Sequence, residues 1–479
     1  MINSDKVFYY FKEISKIPRE TGKEKGISNY LKRFAEERDL EVNQDELFNI
    51  IIKRKSNIKN YNGPTLILQG HMDMVYEKDE GSDHLYESGI ELIEKDGYLY
   101  GNHTTLGADN GIAVAYCLAI LDSGNFNYPN LEIVITTQEE GGLVGVKSLD
   151  TSNLIGKYLI NLDAEEEDVY FTSCAGGVRN YIHVPISKYV INNKCLVTIK
   201  ISDLKGGHSG LEIDLERGNA IKLMGRILYK INYNDLDLYS IESKGKANAI
   251  SNKAIATIAI PRDKILETVD KIVGIEKLFK KELQFSDQIR IEISVDESVE
   301  QEFKVFTKDT KDKIINTIML MPNGVINKDM ALPGLVQTSI NIGSLEEVED
   351  KISILSSIRS SVESQKYYIT DVIRVISNLN GAKCEFFNDY PQWEYKPDSK
   401  LRDLITQIYE EIYKVAPKFT AIHAGLECGY LDKKLDNVDI ISMGANLYDV
   451  HTTKERASIE SINKVWNVII KLLEKLSEF

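Results

Sequence analysis

The sequence predicts an α/β domain with a mostly parallel mixed sheet flanked by helices, interrupted by an inserted α+β domain with an antiparallel sheet. Three observations carry that reading. Through the first 180 residues or so, apolar strand-like runs alternate with helical patterns, as in a parallel sheet covered by helices. From about residue 185 apolar and polar residues alternate with period 2, the pattern of strands with one solvated face. Near residue 400 the first pattern returns and runs to the last residue. The simplest organisation is one domain built from residues 1–182 and 396–479, with 183–395 inserted between them.

In chain order, 8–16 and 24–37 read as helices and 65–75 (TLILQGHMDMV) as a buried strand. Residues 110–122 are apolar on most faces, as a helix packed on a sheet would be, and 131–137 and 158–163 are again strand-like. In the insert, 195–201, 253–260 and 289–295 alternate as strands, interleaved with amphipathic helices near 214–231, 262–281, 308–319 and 365–379. Then come a helix at 400–414, a strand at 438–443 and a last helix over 455–477, where Ile459, Ile462, Val465, Ile469, Leu472 and Leu476 keep helical spacing.

Composition narrows the function. Of 479 residues, 43% are hydrophobic and 27% charged, an ordinary globular balance that excludes global disorder. The net charge of −15 leaves no electrostatic footprint for nucleic acid or an anionic membrane. No run approaches the length of a membrane-spanning helix, and the charged N-terminal stretch does not resemble a signal peptide. The expectation is a cytoplasmic protein with no nucleic-acid or membrane partner. The five cysteines are scattered with no CxxC pair, which argues against a disulfide framework or a thiolate zinc site.

The chemistry sits at strand ends. LILQGHMD ends in His71 and Asp73, IVITTQEE in Glu139 and Glu140, and YLINLD in Asp163; the chain after 438–443 reaches His451, and Asp109 lies in LGADNG where a helix begins. In open α/β sheets sites form beyond the carboxyl ends of strands, so these groups would converge. Imidazole and carboxylate suit zinc and other first-row divalent ions. Two metals about 3.5–4 Å apart need a bridging carboxylate, which Asp109 is placed to supply. His71 and Asp163 would complete one ion, Glu140 and His451 the other. Asp73 shares a strand face with His71 and can hold its second ring nitrogen. Glu139, beside a ligand, is the natural general base. Singly, each residue has a plainer reading: Glu139–Glu140 as a solvated strand end, Asp163 as a helix N-cap. The metal reading rests on their joint placement.

The segments GHMDMV, TLGADNGIAVA, TTQEEGGLVGVKSL, INLDAEEE, SCAGG, KGGHSG, HAGLECG and HTTKER, in order along almost the whole chain, resemble the aminoacyl-histidine dipeptidase branch (cytosol non-specific dipeptidases) of the zinc aminoacylase/carboxypeptidase metallopeptidase family. The resemblance implies a hydrolase with two Zn2+ ions, or Co2+ or Mn2+ on the same ligands, and a catalytic domain carrying an inserted lid. It implies the same ligand set, His71, Asp109, Glu140, Asp163 and His451, with Asp73 orienting and Glu139 as base. On the lid it implies His208 as the group that stabilises the oxyanion, Asn248 as a substrate contact and Arg359 as partner of the substrate's terminal carboxylate. Lid closure would bring His208 and Arg359 onto the substrate. Two departures stand out: Ser251 where a proline is usual, and Asn102–His103 where Asp–Gly is usual. His103 is taken as a loop residue; His423 and Glu427 match a motif but have no physical role from sequence. His84 and His183 read as ordinary structural residues, and Cys174 and Cys428 as packed small residues, since no cysteine has the paired base a thiol mechanism needs.

The resulting expectation is a dipeptidase acting on small dipeptides, Xaa-His among them by resemblance. An N-acyl amino acid deacylase or carboxypeptidase would use the same metal chemistry. A non-catalytic peptide- or metal-binding protein would have lost Glu139 or a ligand, and none is lost. Oligomeric state is open, a homodimer included.

Overall fold

The computed structural model describes residues 4–233, 236–296 and 302–479. The chain divides into two compact units, Met1–Cys174 with Tyr395–Ala421 and Leu426–Phe479, and Ala175–Glu394 with Ile422–Gly425. None of the helices among the described residues is long and apolar enough to cross a membrane.

The first unit holds an eight-stranded mixed sheet in the order Glu41–Gln44, Ile50–Arg54, Asn130–Thr136, Thr65–His71, Tyr158–Asn161, Asp439–Ser442, Val169–Cys174, Lys418–Ile422. Its middle four strands run parallel. They are near-continuous apolar runs because both faces are covered: every residue of Thr65–His71 is buried. The helix Ala108–Leu121 fits against that strand and is buried almost all round, its Tyr116 stacked on Trp466 at 6.2 Å between ring centres. Trp466 belongs to the closing helix Ile459–Ser477, which buries residues at three- and four-residue spacing and starts on a Ser458 side-chain cap. A small antiparallel sheet pairs Leu447–Tyr448 with Arg456–Ser458, so residues 449–455 form a loop anchored at both ends. That loop carries His451.

The second unit has its own core, an antiparallel four-stranded sheet (Asp237–Glu242, Ala254–Ile260, Cys195–Ser202, Arg290–Asp296) and an antiparallel five-stranded one (Gly324–Lys328, Val336–Val348, Lys351–Ser360, Gly176–Pro185, Lys383–Tyr390). Helices Ala220–Ile231, Ile265–Leu283, Lys308–Leu320 and Glu363–Leu379 contribute buried residues to that core. The three strands expected here all lie in the four-stranded sheet.

Several boundaries differ from the sequence reading. The strand read over 65–75 stops at His71. The helix read from 214 begins at Ala220, capped by the Asn219 side chain, after a separate 3-10 turn at Ile213–Leu215. The last helix begins at Ile459, residues 456–458 being taken by the small sheet.

Candidate active site

All seven sequence-predicted residues of the first unit gather at the carboxyl ends of its central strands. His71 ends its strand; Glu139 follows Asn130–Thr136 by three residues and Asp163 follows Tyr158–Asn161 by two. Asp109 opens the helix Ala108–Leu121, and its peptide bond to Asn110 is cis.

Asp109 is at the centre. Its Oδ1 lies 3.1 Å from His71 Nε2 and its Oδ2 lies 3.0 Å from His451 Nε2. Asp163 Oδ1 is 3.4 Å from His71 Nε2, and Glu140 Oε1 is 2.6 Å from His451 Nε2. Two groups result, His71–Asp109–Asp163 and Asp109–Glu140–His451, each with ligand atoms within 4.8 Å of one another; His71, Glu139 and Glu140 form a third such set. The donors fit divalent cations: one carboxylate with an oxygen toward each of two imidazoles, and a further carboxylate beside each.

Asp73, fully buried, ties the cluster together. Its Oδ1 is 3.4 Å from His71 Nδ1 and accepts the Glu139 N–H at 3.0 Å; its Oδ2 accepts the Glu140 N–H at 3.2 Å and the Thr21 hydroxyl at 3.0 Å. Asp73 thus orients the His71 imidazole, whose Nδ1 also lies 3.1 Å from the Asp73 main-chain carbonyl, while its side chain fixes the turn that presents Glu139 and Glu140.

The charges are mutually dependent. Burial pushes His71 down, but the Asp163, Asp109 and Asp73 carboxylates outweigh it and hold the imidazole well above its ordinary value. Burial pushes Glu139 well up, and brings Asp163 to about 6. Asp109 is held below its usual range against burial by the two imidazoles, and hydrogen bonds to Asp109 and Glu140 bring His451 to about 11.

Supporting residues were not visible in the sequence as such. Glu455, buried in the anchored loop, accepts the N–H groups of Leu106, Gly107 and Ala108 at 2.8, 2.9 and 2.8 Å, fixing the turn before Asp109. Asn110 accepts the His71 N–H at 3.1 Å and donates to the Leu162 carbonyl at 2.8 Å, joining two ligand-bearing strand ends. Buried Arg19 donates to the carbonyls of Met72 and Gly107. Below the ligands, Glu427 accepts from Gln69 and from Thr136 Oγ1 (2.7 Å), and Asn161 donates to Gln69 at 2.7 Å. Gln69 and Asn161 stand two residues before His71 and Asp163, on the same strand faces. Glu427 therefore acquires a role as the acceptor at the centre of a buried polar layer; burial raises it to about 7.

In the second unit, His208 Nδ1 accepts the N–H groups of Gly210 (3.2 Å) and Leu211 (3.0 Å). The neutral ring then carries its proton on Nε2. Burial and Arg359 lower its proton affinity. Asn248 is exposed beside it: residues 208 and 249 bridge, Ser209 N–H donates to the Asn248 carbonyl at 2.9 Å, and Asn341 donates to the flanking carbonyls of Ala247 and Ala249. Ser251, where proline is usual, bonds Ser243 at 2.8 Å. Arg359 is buried with its Nε lacking a partner. A Cβ on Gly210 would come within 3.1 Å of both Arg359 Cζ and His208 Cε1, so that glycine lets the two side chains meet. His423 joins this cluster through Ser339 Oγ at 2.7 Å; burial, then Arg359, brings it to about 3.

The remaining histidines are structural. His103 is exposed and 3.0 Å from Asp79, His84 contacts Tyr76 and the Gly89 carbonyl, and His183 contacts Ser353. None of the five cysteines is in a disulfide, and Cys174 and Cys428 are buried.

The chain is similar to known proteins over nearly its whole length. A model of peptidase family M20/M25/M40 matches residues 67–475. The cytosol non-specific dipeptidase of Escherichia coli (strain K12) is 32% identical over 471 residues, 97% of this chain and 96% of that one. The crystal structure of aminoacylhistidine dipeptidase from Vibrio alginolyticus superposes with a TM-score of 0.92 at 31% identity, covering 98% of this chain and 96% of that one. A tripeptidase from Staphylococcus aureus shares the fold, with a TM-score of 0.60 at 18% identity and full coverage of both chains. On the family match and the E. coli relative together, the chain belongs to peptidase family M20/M25/M40.

Proposed function

We propose that the protein is a two-metal dipeptidase of the cytoplasm that hydrolyses the peptide bond of free dipeptides, Xaa-His among them. The observation that carries the reading is Asp109, whose two oxygens face His71 and His451 with Asp163 and Glu140 completing a pair of ligand groups. The names of the E. coli and V. alginolyticus relatives support the dipeptide substrate and, for the former, the cytosol.

These five side chains would hold two divalent cations, zinc by default with cobalt or manganese as alternatives, which would supply Lewis acidity at the attacking water and the carbonyl oxygen. Glu139 takes a proton from that water and returns it to the departing amine. Without metal its burial favours the protonated form, and cations beside it would favour the carboxylate that accepts the proton. Asp73 keeps His71 in one tautomer and the Glu139–Glu140 turn in place. His208 donates from Nε2 to the oxygen on which charge develops. Arg359 pairs with the substrate's terminal carboxylate, and Asn248 contacts the substrate beside His208.

The test is a hydrolysis panel of dipeptides, tripeptides and N-acyl amino acids, run on chelator-stripped protein before and after metal is restored. Cleavage of dipeptides that returns with about two cations per chain is expected. A preference for N-acyl amino acids, or activity indifferent to chelation, would overturn the reading.

A further inference from the structure

The five-stranded sheet of the second unit places four residues in one row. Arg359 pairs with Ser339 on one side and with Gly177 on the other, and Gly177 pairs in turn with Tyr390. Residues opposite one another in antiparallel strands project to the same face. Because Gly177 has no side chain, the Tyr390 ring lies across its position; a Cβ there would be 2.5 Å from the phenol oxygen. Gly425 leaves similar room, since its Cβ would meet the same ring at 2.8 Å. Gly177 of SCAGG and Gly425 of HAGLECG, to which the mechanism gives no part, are thus the seat of the Tyr390 ring.

Across that gap Arg359 Nη1 donates to Tyr390 Oη at 3.2 Å. A guanidinium accepts nothing, so this contact leaves the phenol proton unused, and among the described residues it has no other acceptor. Ser339, the other hydroxyl of the row, is engaged by His423 at 2.7 Å. Tyr390 itself is anchored from below: the buried Lys366 ammonium donates to the Tyr390 carbonyl at 2.9 Å and to Asp389 at 2.7 Å. A buried cation with a neutral partner, and a hydroxyl beside it with a proton to give, together form a seat for an anion.

We propose that Tyr390 is a specificity-determining residue: its O–H and the Arg359 guanidinium jointly bind the free α-carboxylate of the substrate. This rests on the dipeptidase reading for the identity of the substrate, but not for the chemistry of the seat. The row selects molecules that end in a carboxylate and disfavours those in which that group is an amide.

The experiment compares one dipeptide with its C-terminal amide on wild-type and Tyr390→Phe protein, with metal content matched. For the free acid KM should rise roughly tenfold or more, as for a lost hydrogen bond to a charged group, with kcat within about twofold. For the amide the two proteins should agree within about twofold. Gly177→Ala, which pushes the hydroxyl aside, should reproduce the same acid-selective loss. Equal losses on acid and amide, or an unchanged KM for the acid, would overturn the proposal. If the protein cleaves N-acyl amino acids instead, the dipeptidase reading fails; the same acid–amide comparison on those substrates still decides Tyr390. If it cleaves neither, calorimetric binding of a free amino acid and of its amide to both proteins takes its place: a preference for the acid that Tyr390→Phe weakens upholds the seat, and one that it leaves intact overturns it.

Discussion

At the scale of single residues, the cluster separates holding from acting. His71, Asp109, Glu140, Asp163 and His451 make up the two groups that share Asp109, whereas Glu139, grouped with His71 and Glu140 but not with Asp109, has its carboxyl desolvated. Glu139→Gln keeps that shape and removes the base. It should lower kcat by about 100-fold or more while metal stoichiometry and melting temperature stay close to wild type; elemental analysis beside steady-state kinetics checks both. Undiminished kcat would assign the proton transfer elsewhere. His208 invites a different test. Its Nδ1 is committed to two backbone N–H groups, so only Nε2 can donate. His208→Gln should cost roughly 100-fold in kcat, comparable to losing an oxyanion donor, with bound metal unchanged. Loss of metal in that variant would contradict the assignment.

At the scale of elements, three candidate ligands, His71, Glu140 and Asp163, stand at or just past strand ends, while Asp109 comes from the start of a helix and His451 from a loop. The anchored loop of residues 449–455 sends His451 to Asp109 and Glu455 to the turn before it. Glu455→Ala would leave three buried N–H groups without an acceptor, each costing about 1–3 kcal/mol where water cannot reach it. The expected result is a clear fall in melting temperature together with loss of a cation from the pair, measured by calorimetry and metal titration; retention of both with an unmoved melting point would remove Glu455 from the scheme. This division also explains what could be read in advance. The strand-end candidates were legible because each buried apolar run gives way to polar residues near where its strand stops. Glu455, Asn110 and Thr21 were not, because the groups they bond lie far away in sequence. The five-stranded sheet was equally opaque. On Lys351–Ser360, Ile352, Ile354 and Ile358 face the core, but the opposite face, with Ser353, Ser357 and Arg359, is buried too. A strand that hides polar residues on one face and apolar ones on the other lacks the exposure contrast that the alternation is supposed to report. Tyr390 escaped notice for a related reason: its meaning lies in a register across three strands.

At the scale of the whole molecule, the metal site links stability to pH. Without metal, Asp163 sits at about 6 and Glu427 at about 7, both above the ordinary carboxylate range near 4. Between about pH 4 and 7 the folded chain therefore binds more protons at these groups than the unfolded chain, and stability must fall as pH rises. His451, at about 11 folded against roughly 6.5 unfolded, has the same sign: its contribution is whole below about 6.5 and is lost as pH climbs toward 11. Asp73 and Asp109 act oppositely, being held low, but their window lies below about pH 4. The metal-free protein should accordingly lose melting temperature steadily from pH 5 to 8, by at least about 3 °C. Cations favour the deprotonated ligands, so loading should release protons, and the gap between loaded and stripped protein should widen with pH. Differential scanning calorimetry at pH 5, 6, 7 and 8, with and without zinc, measures that gap. Glu427→Gln removes one titrating group beneath the site without removing a ligand, so its stripped form should show a shallower decline between pH 5 and 7. A stripped protein whose melting point is flat or rises over this range would mean that Asp163 and Glu427 are not desolvated, and His451 not paired with Asp109 and Glu140, as the cluster requires.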